Sequence, residues 1–186
     1  MKNVLLTLLA VIILGLAGAL FMIFSGTYNV AATSKDSGFM HWVLSATREA
    51  SIESRAEDVI PPSDKELSDP QTIRTGFEHY DEMCVGCHGA PGVKPGELRA
   101  GLNPEPPLLA EEAEEVSTQE LFWVVKHGIK MTGMPAWGPT HDDKKIWAIV
   151  AFVKKMPELS AEEYQSMKQQ MSGAEHDHGA DHHHDQ

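Results

Sequence analysis

Apolar and polar positions divide the chain into regions of different rhythm. Residues 4–24, VLLTLLAVIILGLAGALFMIF, are apolar on every side and carry no charge. From residue 37 onward apolar residues recur every three or four positions, the spacing of a helix with one covered face. Phe39, Val43, Ala46 and Ala50 form one such stripe with Trp42 beside it, while Arg48, Glu49 and Glu53 lie on other faces. The pattern predicts an amphipathic helix over 37–58 that stops before Pro61–Pro62, because proline disfavours helix in the residue before it. Its stripe is expected to pack on the domain, a partner or the membrane surface.

The third region, 70–160, opens with a helix start: Asp69 as N-cap and Pro70 at the first helical position. Gly76, Tyr80 and Cys84 follow at four-residue intervals and share a stripe. A mid-helix glycine weakens a helix, which points to a second helix crossing there. The segment HDDKKIWAIVAFVKKMP (141–157) is the expected partner, with Trp147, Val150 and Ala151 on one face and Trp147 expected over Gly76. Ser117 with Glu120, and Ser160 with Glu163, are capping boxes flanked by Val116/Leu121 and Leu159/Tyr164. The first launches a helix ending at Gly128; the second launches a terminal helix over 161–172 with Tyr164, Met167 and Met171 on one stripe. Glu111–Glu120 reads as a solvated acidic loop. No strand alternation of any length occurs, so the expected class is all-α.

The apolar stretch bears on compartment. Its 21 residues, at about 1.5 Å each, cross a bilayer's hydrocarbon core, and Lys2 precedes them. A basic flank predicts a cytoplasmic N-terminus and an exported remainder, single-pass in the inner membrane with the soluble domain in the periplasm or an equivalent space. A cleaved signal peptide is the competing reading, with Val30–Ala32 as the peptidase site, but its apolar region is normally shorter. The expected organisation is an anchor over 1–26, which contacts lipid through 4–24. A juxtamembrane helix and linker occupy 27–69, the main domain 70–160, a helix 161–172 and a disordered His-rich tail 173–186. With 15 basic and 27 acidic residues the net charge is −12, which disfavours nucleic acid as a partner.

Only two cysteines occur, in Cys84-Val85-Gly86-Cys87-His88. A closed zinc site needs four ligands, and there is no second Cys-x-x-Cys. A thioredoxin-like pair sits beside a βαβ pattern, which is absent here. Covalent haem attachment uses the string Cys-x-x-Cys-His and accounts for both cysteines in an oxidising compartment. An electron-transfer haem needs a second axial ligand, and a methionine thioether raises its potential. Met134, between Gly133 and Pro135, lies in a loop stiffened by proline. Met131 is the alternative, next to an apolar segment where methionine usually fills gaps.

Residues 70–157 resemble a class I cytochrome c through Gly76-x-x-x-Tyr80-x-x-x-Cys84-x-x-Cys87-His88, Pro107-Leu108-Leu109, Gly133-Met134-Pro135 and the helix with Trp147. The resemblance implies three to five helices around one covalently bound haem c, with Cys84 and Cys87 as thioether residues and His88 and Met134 as axial ligands. It also implies a Pro107 carbonyl bonded to the other nitrogen of His88. The GMPAW segment (133–137) is similar to cytochrome subunits of membrane-bound dehydrogenases and terminal oxidases.

The resulting expectation is an electron carrier, not an enzyme: a membrane-anchored cytochrome subunit partnered by a dehydrogenase, a quinol-oxidising complex or a terminal oxidase. A tethered shuttle is one alternative. Another is a haem enzyme or gas sensor with a displaceable methionine, and a third is a metal-handling protein dominated by its tail. Phe122, Trp123 and Trp137 are expected to line the haem pocket, and His127 to meet a propionate or solvent. His41 reads as a packing residue. The tail HDHGADHHHDQ (176–186) has a composition able to bind copper, zinc or nickel weakly.

Overall fold

The computed structural model describes residues 1–177, as two compact units, Met1–Lys35 and Asp36–Gln186. The His-rich tail from residue 178 lies outside the described residues.

The first unit contains α1 (Lys2–Phe24), whose side chains are all exposed. It is long and apolar enough to cross a membrane, with a mean hydropathy of 2.8.

The second unit contains α2 (Gly38–Ala56), α3 (Asp64–Leu67), α4 (Pro70–Met83), α5 (Val85–His88), α6 (Glu97–Ala100), α7 (Leu109–Glu112), α8 (Thr118–His127), α9 (Asp143–Lys155) and α10 (Ala161–Asp177). A 3₁₀ turn, Met156–Glu158, follows α9, and no strand occurs among the described residues. The class is all-α. Starts are set by side chains: Asp69 accepts from the amides of Gln71 and Thr72 at 3.1 and 3.0 Å. Both expected capping boxes form, at Ser117/Glu120 and at Ser160/Glu163. A third, Ser63/Glu66, opens α3 and stands in the sequence as an unused Ser-x-x-Glu.

The core is the crossing of α4 and α9, elements brought together from opposite ends of the domain. A Cβ at Gly76 would lie 1.9 Å from the Ala148 carbonyl oxygen and 2.9 Å from the Phe152 Cβ, so only glycine permits this approach. The residue expected over Gly76 was Trp147, and that is corrected. Ala148 and Phe152, four apart, form the line that faces α4. Trp147 points one helical step away and stacks on Phe122 of α8, centroids 4.1 Å apart and rings 17° from parallel. Phe77, Phe152 and Tyr164 close the core, with Phe77 edge-on to the other two at 5.3 and 5.2 Å. The Tyr164 hydroxyl donates to Asp81 at 2.8 Å and Lys168 pairs with the same carboxylate at 2.9 Å, which binds α10 to α4.

Two further expectations change. The acidic stretch 111–120 is not simply solvated loop: α7 covers its start, Ala113 is fully buried, and Lys154 donates to the carbonyls of Ala113 and Val116 at 3.0 Å each. α2 packs on α8 and belongs to the second unit, but of the stripe its periodicity marks only Val43 is partly covered. Its covered positions are Met40, Val43, Ser45, Arg48, Ser51, Ile52 and Ala56, whereas Phe39, Trp42, Ala46 and Ala50 are exposed. α10 also runs past residue 172, to Asp177.

Candidate functional site

α4 ends at Cys84, whose carbonyl accepts from the amides of Cys87 and His88 at 3.1 and 2.9 Å. This tight turn starts α5 and holds both thiols and the imidazole within one helical turn. Gly89 ends α5 with φ 65°, a left-handed conformation that favours glycine. The buried Tyr80 hydroxyl, one helical turn before Cys84, donates to the Gly89 carbonyl at 2.6 Å. The Gly96 amide returns to the Gly86 carbonyl at 2.8 Å. The turn is thus fastened at both ends to the α4–α9 core.

Both cysteines are free thiols. Burial, with Cys87 adjacent, pushes the Cys84 thiol up to about 12, so it stays protonated at neutral pH. A thioredoxin-like nucleophile needs the opposite, a depressed thiol. No group of three or more His, Cys, Asp or Glu is placed to hold a metal among the described residues, which argues against a closed zinc site.

His88 Nδ1 lies 2.9 Å from the Pro107 carbonyl oxygen. With Nδ1–H as the donor, the bond fixes the tautomer and leaves the Nε2 lone pair free. Burial lowers the proton affinity of His88, against the contrary effect of the Pro107 bond, so the ring is neutral. Pro107 is braced in turn: Arg99 Nε donates to the Pro106 carbonyl at 3.0 Å and its guanidinium pairs with Glu105. Nothing in the local sequence marked Arg99 for this role, because its partner atoms are backbone carbonyl and loop carboxylate.

Met134 sits in the loop after α8 and is partly buried. Its amide donates to the Thr132 hydroxyl at 3.1 Å, and its carbonyl accepts from the Ile129 amide at 3.1 Å. Gly128 ends α8 at φ 65°, and a Cβ there would reach 2.8 Å from the Met134 carbonyl oxygen. Met131 is 92 % exposed, at φ 63°. Of the two methionines, Met134 is the one held against the protein.

Residues 99–108 join the two sides. Pro107 meets His88, while Leu102 presses on Gly133, where a Cβ would come within 2.6 Å of the leucine methyl. The aromatic residues divide: Phe122 is core, Trp123 is partly covered beside His127 at 5.0 Å, and Trp137 meets His141 edge-on at 5.4 Å. His127 and His41 are exposed. Two open clefts, of about 360 and 670 Å³, lie elsewhere, one between α4 and α10 and one lined by α3, Lys144 and Trp147. Neither is lined by the Cys–His turn or by Met134.

The family described as "Cytochrome C oxidase, cbb3-type, subunit III" matches residues 71–153, the stretch that carries the α4–α9 crossing, the Cys–His turn and the Met134 loop. That segment is a cytochrome c domain. No curated protein matches the chain. A cytochrome c domain carries haem c for electron transfer, and its donors here fit that group: two free thiols one turn apart and a neutral imidazole with one nitrogen left open. This domain and the apolar helix α1 fit a membrane-anchored monohaem cytochrome c.

Proposed function

We propose that one haem c is held covalently through Cys84 and Cys87, with His88 Nε2 and Met134 Sδ as its axial ligands. When bound, the haem supplies one-electron redox chemistry at iron. The protein's part is positional. Pro107 orients the His88 ring, the Tyr80–Gly89 bond mounts the Cys–His turn on the core, and the short Gly133–Met134–Pro135 segment presents the thioether. Two protein ligands leave no open position for a substrate, so the domain carries electrons and does not make or break bonds. The single observation that carries this reading is the Cys–His turn with both thiols free and His88 oriented by Pro107.

Replacing Cys84 and Cys87 together with Ser should remove all haem stain after denaturing electrophoresis; stain that persists overturns covalent attachment. Met134→Ala should abolish the weak near-infrared sulfur-to-iron band of the oxidised protein and lower its potential, and Met131→Ala should do neither. A reduced protein that shifts its spectrum under carbon monoxide would support the sensor or enzyme reading instead.

The family name is that of an oxidase subunit, and α1 is built to span a membrane. Both support a role as the anchored cytochrome subunit of a respiratory complex, with the haem domain on the exported side. Residues 70–160 hold nine basic and thirteen acidic side chains, a net of −4, which suits a neutral or basic partner face. Extraction in mild detergent should bring down a larger membrane complex. A protein that always migrates alone yet still exchanges electrons with an oxidase is a tethered shuttle.

A further inference from the structure

α2 leaves most of the apolar stripe that its own pattern marks uncovered. The face that packs on the domain holds Met40, Ser45, Arg48, Ser51, Ile52 and the buried Ala56; of the stripe itself only Val43 is partly covered, and Phe39, Trp42, Ala46 and Ala50 are exposed. Phe39 and Trp42 are 71 % and 64 % exposed, with ring centroids 6.1 Å apart. Because the inward face is already occupied by α8, the helix cannot roll over to bury the stripe. Whatever covers it comes from outside the domain.

The order of residues along the stripe identifies the cover. The aromatic pair stands at the N-terminal end, the alanines follow, and Glu53 ends the line, with the exposed Glu49 beside it. That is a gradient from amphipathic aromatics to hydrated carboxylates, the sequence of environments met on leaving a bilayer surface. A stripe built for a second helix would stay apolar along its length. The aromatic end is also the end tied to the span: thirteen residues, 25–37, separate α1 from α2. Fully extended they reach at most about 45 Å, so Phe39 and Trp42 never leave the neighbourhood of the membrane that α1 enters.

We propose that Phe39 and Trp42, continued by Ala46 and Ala50, seat the N-terminal half of α2 in the headgroup–acyl boundary of the lipid surface, so that the domain rests on the membrane through α2 and presents a fixed side to it. The inference rests on α1 being a retained anchor. It assigns the stripe to lipid and leaves the electron-transfer partner to other surfaces.

The experiment uses the full-length haem protein in its native membranes, with the photo-crosslinker benzoylphenylalanine in place of Trp42 or, as control, in place of the exposed Arg55 on the other face. An alkaline carbonate wash first separates the two readings: release of the protein overturns the anchor and the proposal with it. If the protein stays, irradiation at position 42 should give phospholipid adducts by mass spectrometry, several-fold above those at position 55. A crosslink from position 42 mainly to another polypeptide, whether a second copy or a different subunit, overturns the proposal and leaves the anchor standing. Capture of water alone, with no adduct above the control, overturns it too. Phe39→Ser should reduce the lipid adduct at 42 several-fold while far-ultraviolet circular dichroism stays unchanged; an undiminished adduct in that folded variant removes Phe39 from the seat.

Discussion

The two sides of the candidate haem site are built on different principles. His88 stands on a helical turn fused to the α4–α9 crossing, the most deeply packed part of the domain. Met134 stands in a loop that has no helix of its own and is held by backbone hydrogen bonds and close glycine contacts. One ligand is mounted on the core and the other is clipped to it. The lesson is that damage to the first side should spread through the whole fold, while damage to the second should stay local.

Gly76→Ala is the harshest test. The new Cβ would collide with the Ala148 backbone, and overpacking of this kind should lower stability by about 3 kcal/mol, more than the ~1 kcal/mol that alanine restores in helix propensity. Urea unfolding of the haem protein measures it. A neutral result would mean that the α4–α9 approach is not rigid and would dissolve the contrast. Tyr80→Phe is next: it leaves the Gly89 carbonyl without its buried donor and should lower stability by about 1–2 kcal/mol. Its counterpart, Thr132→Val, removes the bond to the Met134 amide but should change global stability by less than about 0.5 kcal/mol. Its effect should appear as faster displacement of the methionine by added imidazole. Equal losses of stability in Tyr80→Phe and Thr132→Val would break the comparison.

The smallest effect is a pH dependence on the core side. Burial, with His141 and Lys145 nearby, lowers the proton affinity of His79, and the Glu82 and Glu78 carboxylates oppose this only in part. The folded protein therefore binds that proton less readily than the unfolded chain. Above the ordinary imidazole range, about pH 6.5, His79 has no effect. As pH falls through that range stability declines, and the decline ends once the lower folded-state value is passed. His79→Asn should flatten the slope of urea midpoint against pH in this window; an unchanged slope assigns it to other groups. The carboxylates of Glu66 and Glu163, lowered by their capping hydrogen bonds, act only in more acidic solution.

Helix starts were legible because a cap is a local bargain between a side chain and amides two or three residues away. Asp69, Ser117 and Ser160 all behave as their spacing requires. The short helices α5, α6 and α7 were not anticipated, since four residues are too few for any periodicity to show. At the crossing, glycine correctly marked a close approach, but which residue of the facing helix fills it depends on rotation about that helix, which no spacing within α4 encodes. α2 and α9 make the same point about faces. Both are amphipathic, yet α9 buries Ile146, Ile149, Val150 and Val153, while α2 leaves all of its stripe but Val43 exposed. Periodicity shows that a face needs cover and is silent on what supplies it. In the site itself, Cys84, Cys87 and His88 could be read from their adjacency. Arg99, Thr132 and Lys154 could not, because each works on backbone carbonyls or amides, which no side-chain pattern marks.

Lys154 carries one more consequence. Its ammonium group, in the last turn of α9, binds three carbonyl oxygens of the 113–116 loop instead of a carboxylate. The surface pairs Lys126–Asp143 and Lys155–Glu158 weaken as salt screens them. A partly sheltered charge seated among carbonyl dipoles is screened far less. The acidic loop is therefore fastened by a contact nearly indifferent to ionic strength, so its own negative charges can respond to the surrounding electrolyte while the chain beneath them keeps its shape.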